Sequence, residues 1–358
     1  MTQHSKPSPE QILQARADNP KARERDFAQS LGISEADFVA AHCGLDDDAA
    51  ISARRIRADV ETLLKRASSL GEVMALTRNE SVVHEKIGPF EKAVWGPHAS
   101  IVLGKQIDLR IFPKHWVHGF AVRKKDGEEV RRSLQFFDAS GEAVHKIHLR
   151  SASDVDAYEA LVTELLLDDQ SGSIETTAIA PKGAKANVAL VDTDAFRERW
   201  SALTDVHQFM GLLKDFGVDR HQAVHLAGQD FAWRVDLSSV EAMMNHAVQQ
   251  QLPIMCFVGN RGCIQIHTGP IHEIKMMGPW LNVLDPTFHM HLRIDHIADA
   301  WVVRKPTKDG HVTSLEAYDA NGELIIQFFG ERHEGEAELA DWRMIAENLP
   351  RLPRSTAA

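Results

Sequence analysis

The chain holds 19 histidines in 358 residues, about twice the ordinary share, a surplus that points to metal or haem. His207 is the most telling of them, because its neighbours, WSALTDVHQFMGLLKDFG over 200–217, read as a short amphipathic helix. Thr204 or Asp205 can cap that helix, and Val206, Phe209, Met210, Leu213 and Phe216 recur at the three-and-four spacing of an apolar face. Gly217 supplies the stop. This places His207 in the first turn, where the macrodipole favours the neutral ring, the form that ligates a metal. Gly211, one turn on, removes a side chain from the same face, so a flat ligand can lie close to the backbone there. The plainer alternative is a histidine at the border of the core and a glycine that permits close helix packing.

Other residues offer rival chemistry. His289 and His291 in TFHMHLRIDH alternate along a predicted strand and so share one face, with His296 further on; such a pair can hold a metal, and a non-haem metal enzyme built on it is the competing reading. No third histidine or carboxylate follows at a fixed spacing. His115 and His118 lie near a strand start, and His145 and His148 fall on opposite faces of a strand. Arg110, Arg220, Lys305 and Arg332 matter if the ligand carries carboxylates, which arginine binds bidentately and lysine as a point charge. GNRGC at 259–263 lacks the lysine and following helix of a nucleotide loop, and no serine nucleophile motif stands out.

The length calls for about two domains. A formal charge of -11 argues against nucleic acid or an anionic membrane surface as partner. The cysteines, Cys43, Cys256 and Cys263, fall in no metal-finger or redox spacing and suit a reducing compartment. The start, MTQHSKPSPEQ, is polar, and no apolar run approaches the roughly 18 residues a bilayer span needs, so a cytoplasmic protein that is not embedded in a membrane is expected.

The elements that must position these residues come in a repeating order. Residues 1–70 read as helical, including a longer amphipathic run over 50–70 that ends at Gly71; 73–149 read as a meander of antiparallel strands, with turns at Lys125-Asp126-Gly127 and Ala139-Ser140-Gly141; a helix follows over 153–167. The stretch 168–187 lacks a sustained apolar face. Beyond it, setting residue n against n + 181 matches Met74 with Met255, Asn79 with Asn260, Gly88-Pro89 with Gly269-Pro270, Val122-Arg123-Lys124 with Val303-Arg304-Lys305, and Asp138-Ala139 with Asp319-Ala320. Constant registry over about 70 residues implies an α+β tandem duplication: a unit of N-terminal helices, a large antiparallel β-sheet and a C-terminal helix, twice. The expected division is an N-terminal repeat at 1–170, a linker at 171–187 and a C-terminal repeat at 188–358. The copies differ at the candidate site. Leu31-Gly32-Ile33 resembles Phe216-Gly217-Val218, yet no counterpart of His207 appears near Ala22, and His84 faces Gln265.

RNESVVHEKIG, QIDLRIF, SLQFFDASG, ALTDVHQFMGLLK, CFVGNRGCIQIHTG, WLNVLDPTFHMHL, AWVVRKPTKDGHVTSLE and GERHEGE, in that order along nearly the whole chain, resemble the bacterial cytoplasmic hemin transport or hemin-degrading factor family of the HemS/HmuS kind. The resemblance implies a main haem b (hemin) site in a cleft of the C-terminal half, with His207 as the proximal iron ligand and Arg110 reaching the distal side from the N-terminal half. It places Arg220, Lys305, Gln327 and Arg332 along the pocket or near the propionates, and His84 at a position proposed as a second haem site in some members. Where some members carry tyrosine this chain has Phe329, so a phenolic hydrogen bond is missing. The implied partners are an inner-membrane haem importer as donor and a haem oxygenase or reductase as acceptor, with the chain a monomer or homodimer. Two functions share that site: a carrier that accepts imported haem and passes it on, and a haem-degrading oxygenase in which Arg110 stabilises charge on oxygen. The carrier is the favoured expectation.

Overall fold

Alternating apolar residues lay down the same hairpin twice: Val122 pairs with Ser133 and, at the matching positions of the second half, Val303 pairs with Ser314. The computed structural model describes residues 6–178, 187–333 and 335–353. The chain forms two compact units, unit 1 comprising Met1–Arg78, Glu85–Ala180 and Gly259–Gln265, and unit 2 comprising Asn79–His84, Pro181–Val258 and Ile266–Ala358. This grouping differs from a single cut at 171–187 in two short segments, Asn79–His84 and Gly259–Gln265, which are grouped with the other half of the chain. Residues 179–186 of the expected linker lie outside the described residues.

Unit 1 begins with helices α1 (Pro9–Asp18), α2 (Glu24–Ser30) and α3 (Glu35–Ala40), of which α1 and α3 start on capping boxes built by Ser8 with Gln11 and Ser34 with Asp37. Strand β1 (Ile51–Ile56) and helix α4 (Val60–Ala67) follow, and then β2 (Gly71–Arg78), β3 (Val82–Gly88), β4 (Ala93–Val94), β5 (Ser100–Leu103), β6 (Asp108–Ile111), β7 (His118–Asp126), β8 (Glu129–Phe137), β9 (Ala143–Ser153) and helix α5 (Val155–Leu165). The main sheet runs β1-β7-β8-β9-β2, all antiparallel. Period-two alternation sends Ala121, Leu134 and Ile147 to α4 and α5, and Phe120, Val122 and Phe137 to the first three helices.

The helix expected over 50–70 is a correction. Only its second half, α4, is an α-helix; Ile51–Ile56 instead pairs with β7, Ile51 opposite Lys124 and Ile56 opposite Gly119. Partnership with a sheet edge outweighs the weak helical preference of ISARRI, and Asp59 caps the helix that starts after it.

Unit 2 repeats the plan. Helices α6 (Thr193–Ser201), α7 (Gln208–Phe216) and α8 (Arg220–Leu226) precede β10 (Ala232–Arg234), α9 (Ser239–Gln249), β11 (Ile254–Gly259), β12 (Cys263–Gly269), β13 (Ile274–Met277), β14 (Trp280–Asp285), β15 (Phe288–Arg293), β16 (Asp299–Thr307), β17 (Gly310–Tyr318), β18 (Leu324–Gly330) and α10 (Ala340–Glu347). The main sheet runs β10-β16-β17-β18-β11, the counterpart of the order in unit 1. One face buries Val302, Leu315 and Phe328 under Met243 of α9 and Trp342 of α10; the other buries Trp301, Val303 and Tyr318 under Phe196, Phe209 and Val224 of α6, α7 and α8. The fold is thus the duplicated α+β unit that the registry implies. No described helix is long and apolar enough to cross a membrane.

Candidate ligand-binding site

Helix α7 starts at Gln208, two or three residues later than a cap at Asp205 or Thr204 would place it, so that His207 is its N-cap residue rather than part of its first turn. Asp205 turns the chain into it. One carboxylate oxygen, Oδ1, accepts from the His207 backbone N–H at 2.7 Å and from the ring Nδ1 at 2.7 Å. A carboxylate only accepts, so Nδ1 carries the ring proton, and in the neutral ring the lone pair sits on Nε2. The same two contacts, backbone first, hold the Asp205 carboxyl below its usual value, and the charge of Arg332 adds to that pull.

The His207 side chain is 91% exposed, which removes the alternative of a histidine at the core border. Phe209, Leu212 and Leu213 are the residues of α7 that are buried, while His207, Met210, Gly211 and Lys214 are exposed at helical spacing on one face. Met210, expected on the apolar inner face, is 62% exposed beside His207. Among the described residues outside its own helix backbone, a Cβ placed on Gly211 meets nothing within 4 Å, so close packing against another described helix is not why glycine stands there. The helix presents a nitrogen lone pair, an apolar side chain and bare backbone together.

Beneath α7 the sheet carries a polar row. Glu316, 0% exposed, accepts from Lys305 Nζ at 3.0 Å, Gln327 Nε2 at 2.8 Å, Ser314 Oγ at 2.9 Å, Arg220 at 3.3 Å and the Tyr318 hydroxyl at 2.5 Å. Burial by itself would raise the Glu316 carboxyl, but Lys305 and Arg220 outweigh it and hold the group well below the carboxylate range. Both cations also lie over the Phe209 ring, Lys305 Nζ at 4.7 Å and Arg220 at 5.0 Å from its centroid. On β11 and β18, Phe257 sits opposite Gln327, and its ring meets Phe329 edge-on at 5.1 Å, both side chains partly open. Lys305 is 4% exposed and already bonded, so it fixes this floor and does not reach outward.

The other expected residues are distributed as follows. Arg110 is on β6 of unit 1, where its guanidinium is bonded to Asp108 and to the Leu109 carbonyl. Burial pushes the Asp108 carboxyl up, against the pull of Arg110 beside it. His84 belongs to unit 2 and is 0% exposed, its ring 4.9 Å from that of Phe288; a haem there requires β3 to part from β15 at that ring. His289 and His291 do share one face of β15, and His291 Nδ1 lies 2.6 Å from Asn282 Oδ1. Among the described residues no third histidine, cysteine or carboxylate joins that pair at ligand distance, so the non-haem metal reading built on it is set aside. Glu316 and Tyr318 escaped the reading of the sequence, although Ser314, Glu316 and Tyr318 alternate with the core residues Leu315 and Ala317, and a carboxylate at such a spacing signals a satisfied polar face.

A family model described as the Haemin-degrading HemS.ChuX domain matches twice, at residues 32–165 and 217–349. The chain is 41% identical over 336 residues to the hemin transport protein HemS of Yersinia enterocolitica, covering 93% of this chain and 94% of that protein. Among solved structures, holo-PhuS, a heme-binding protein from Pseudomonas aeruginosa, is 43% identical with a TM-score of 0.92, covering 97% of this chain and 100% of that one. ChuS, an E. coli heme oxygenase, is 36% identical with a TM-score of 0.83, covering 93% and 98%. Two matches in tandem, each spanning one repeat, leave one conclusion: this chain belongs to the HemS family.

Proposed function

We propose that the chain binds haem on unit 2 with His207 Nε2 as the proximal iron ligand, and passes it on as a carrier. The observation that carries this reading is the exposed face of α7, where a histidine whose other nitrogen is tied to Asp205 stands beside exposed Met210 and an open Gly211. A haem is a flat apolar macrocycle with two carboxylates and an iron that takes an imidazole nitrogen, and the residues present suit each part. Phe257 and Phe329 supply apolar area, and Arg332 supplies a cation near Asp205 for a propionate. Arg220, Lys305 and Gln327 act through Glu316 by holding the floor in place. Arg110 is proposed for the distal side on the family resemblance.

Haem b in the cytoplasm, received from an inner-membrane importer and handed to a haem oxygenase or reductase, is the physiological setting that fits the family. Hemin added to the purified chain is expected to give a Soret band, and His207→Ala is expected to shift the band and weaken binding. Unchanged titrations in that variant would overturn the axial assignment.

A second reading, haem degradation, is favoured by the likeness to the E. coli heme oxygenase. Bound haem iron supplies the site for oxygen binding. An arginine such as Arg110 would serve as a hydrogen-bond donor to negative charge there, and its guanidinium would have to release Asp108 to do so. Incubating the ferric complex with ascorbate and catalase separates the two readings: release of iron and an open tetrapyrrole supports degradation, and a stable Soret band leaves the carrier.

A further inference from the structure

Away from the face of α7 that carries His207, unit 2 gathers a second group of ligand atoms. RHQAVHLAG places His221 and His225 four residues apart on α8, hence on one face, and that face packs against the start of β16 at Asp299. The geometry points to a binding site for a divalent metal ion of the zinc(II) class at His221, His225 and Asp299, with a fourth position open to water. His221 Nε2 lies 3.0 Å from Asp299 Oδ2, His225 Nε2 lies 3.7 Å from the same oxygen, and the two Nε2 atoms are 3.4 Å apart. Zinc bonds of about 2.0–2.1 Å in a tetrahedron set ligand atoms about 3.3–3.4 Å from one another, the span these atoms already share.

The surroundings fix the ligands as a metal site requires. Arg234 Nε donates to Asp299 Oδ1 at 2.5 Å and Trp301 Nε1 donates to Oδ2 at 2.8 Å, so the carboxylate is held from behind while Oδ2 still faces both imidazoles. The His221 ring stacks at a tilt on Tyr318, 4.9 Å between centroids, and the His225 ring meets Trp301 edge-on at 4.7 Å. Burial, which raises a carboxyl, is outweighed at Asp299 by the hydrogen bonds from His221, Trp301 and Arg234, which bring it down to about 2. His225 is 48% exposed, which gives an ion a way in and water a place at the fourth position.

One feature distinguishes this from a histidine pair that only hydrogen-bonds. A single proton on His221 Nε2 satisfies Asp299, and His225 Nε2 is aimed at the same point, 3.4 Å from His221 Nε2 and 3.7 Å from Asp299 Oδ2. When a metal enters, that proton moves to His221 Nδ1 or leaves, and all three atoms face the ion. Arg234 neutralises part of the carboxylate charge, so the ion is exchangeable and not permanently held.

The test is equilibrium dialysis of the full, untagged, haem-free chain against zinc(II), in competition with a metal-binding dye. One equivalent per chain is expected. His225→Ala and His221→Ala, each checked by thermal denaturation, are expected to weaken that equivalent by at least the roughly ten- to hundredfold that loss of outer-shell partners costs. Cobalt(II) in place of zinc is expected to show the visible absorption of a four-coordinate ion, lost in the same variants. His291→Ala and His207→Ala are expected to keep the zinc. Absence of a retained equivalent, or retention in both His221→Ala and His225→Ala, overturns the site; loss in His291→Ala or His207→Ala assigns the metal elsewhere and overturns it as well.

Discussion

The two units place opposite charges at the same point of the same scaffold. The helix after the glycine stop begins with Glu35 in unit 1 and with Arg220 in unit 2, each one residue beyond a capping-box residue, Ser34 and Asp219. Glu35 accepts from Lys146 of β9 and Arg78 of β2, with all three side chains between 5% and 11% exposed. Arg220 donates to Glu316 of β17, shared with Lys305 of β16. Duplication preserved a buried ion cluster under the helix, and divergence reversed which partner the helix supplies. The cover changed with it. In unit 1, α2 is ERDFAQS, with neither histidine nor glycine; in unit 2, α7 exposes both. The aromatic pair Phe257 and Phe329 stands where unit 1 has Leu76 and His148. One copy closed its face, and the other left it exposed.

The largest effect that tests this contrast comes from the two buried carboxylates. Glu35→Gln and Glu316→Gln each strip a buried cluster of its anion, and each is expected to cost about 3–5 kcal/mol in urea denaturation. Hemin titration should then divide them: Glu316→Gln disturbs the floor under α7 and changes the Soret band, whereas Glu35→Gln leaves it alone. An equal change in both would mean that the ligand surface is not confined to unit 2.

A smaller effect comes from pH. Burial pushes His145 down to about 3, and burial followed by the charges of Lys146 and Lys124 pushes His148 down to about 3. In the unfolded chain these rings take a proton near pH 6.5. Between roughly pH 6.5 and 3 the unfolded state therefore holds more protons, and stability falls as pH falls, by up to about 1.4 kcal/mol per pH unit for each ring. The matching positions in unit 2 are Ile326 and Phe329, which do not titrate. The carboxyl of Asp299, held at about 2, costs unit 2 stability only below about pH 4. His148→Phe, which installs the residue of unit 2, is expected to flatten the dependence of the urea midpoint between pH 7 and 5, with hydrogen exchange placing the change in unit 1. A slope unchanged by the substitution would show that His148 does not carry it.

Much of this was legible before the structure. A registry held from the match of Met74 with Met255 to that of Asp138 with Asp319 requires the same strands twice, because inserting one residue turns every side chain to the other face. The helix beside His207 was legible because apolar spacing and the Gly217 stop mark it, although its start was placed too early. The strand at Ile51–Ile56 was not, since ISARRI carries no period strong enough to predict it and its form is fixed by β7, far off in sequence. Glu316 was missed for a related reason: five groups converge on it from β16, β17, β18 and α8, and no local pattern reports such convergence. Nor does any local pattern report the trading of Asn79–His84 and Gly259–Gln265 between units.

The smallest expected effect isolates the ligand face of α7. Glycine inside a helix costs about 0.8–1.0 kcal/mol relative to alanine, through backbone entropy, and is retained only where a side chain would interfere with something. At Gly141 of unit 1 the reason is internal: φ is 84° and a Cβ would run into Ser34 Oγ. At Gly211 no described residue outside the helix's own backbone lies within 4 Å of a Cβ. Gly211→Ala is therefore expected to stabilise the protein by about 0.5–1 kcal/mol, read as a rise in the thermal midpoint, while weakening hemin binding. Gly211→Leu carries the same logic further, abolishing the hemin complex in a chain that still unfolds cooperatively. If Gly211→Leu binds hemin as the unaltered chain does, the ligand does not lie on the face shared by His207 and Met210, and the contrast between an open and a closed unit loses its main support.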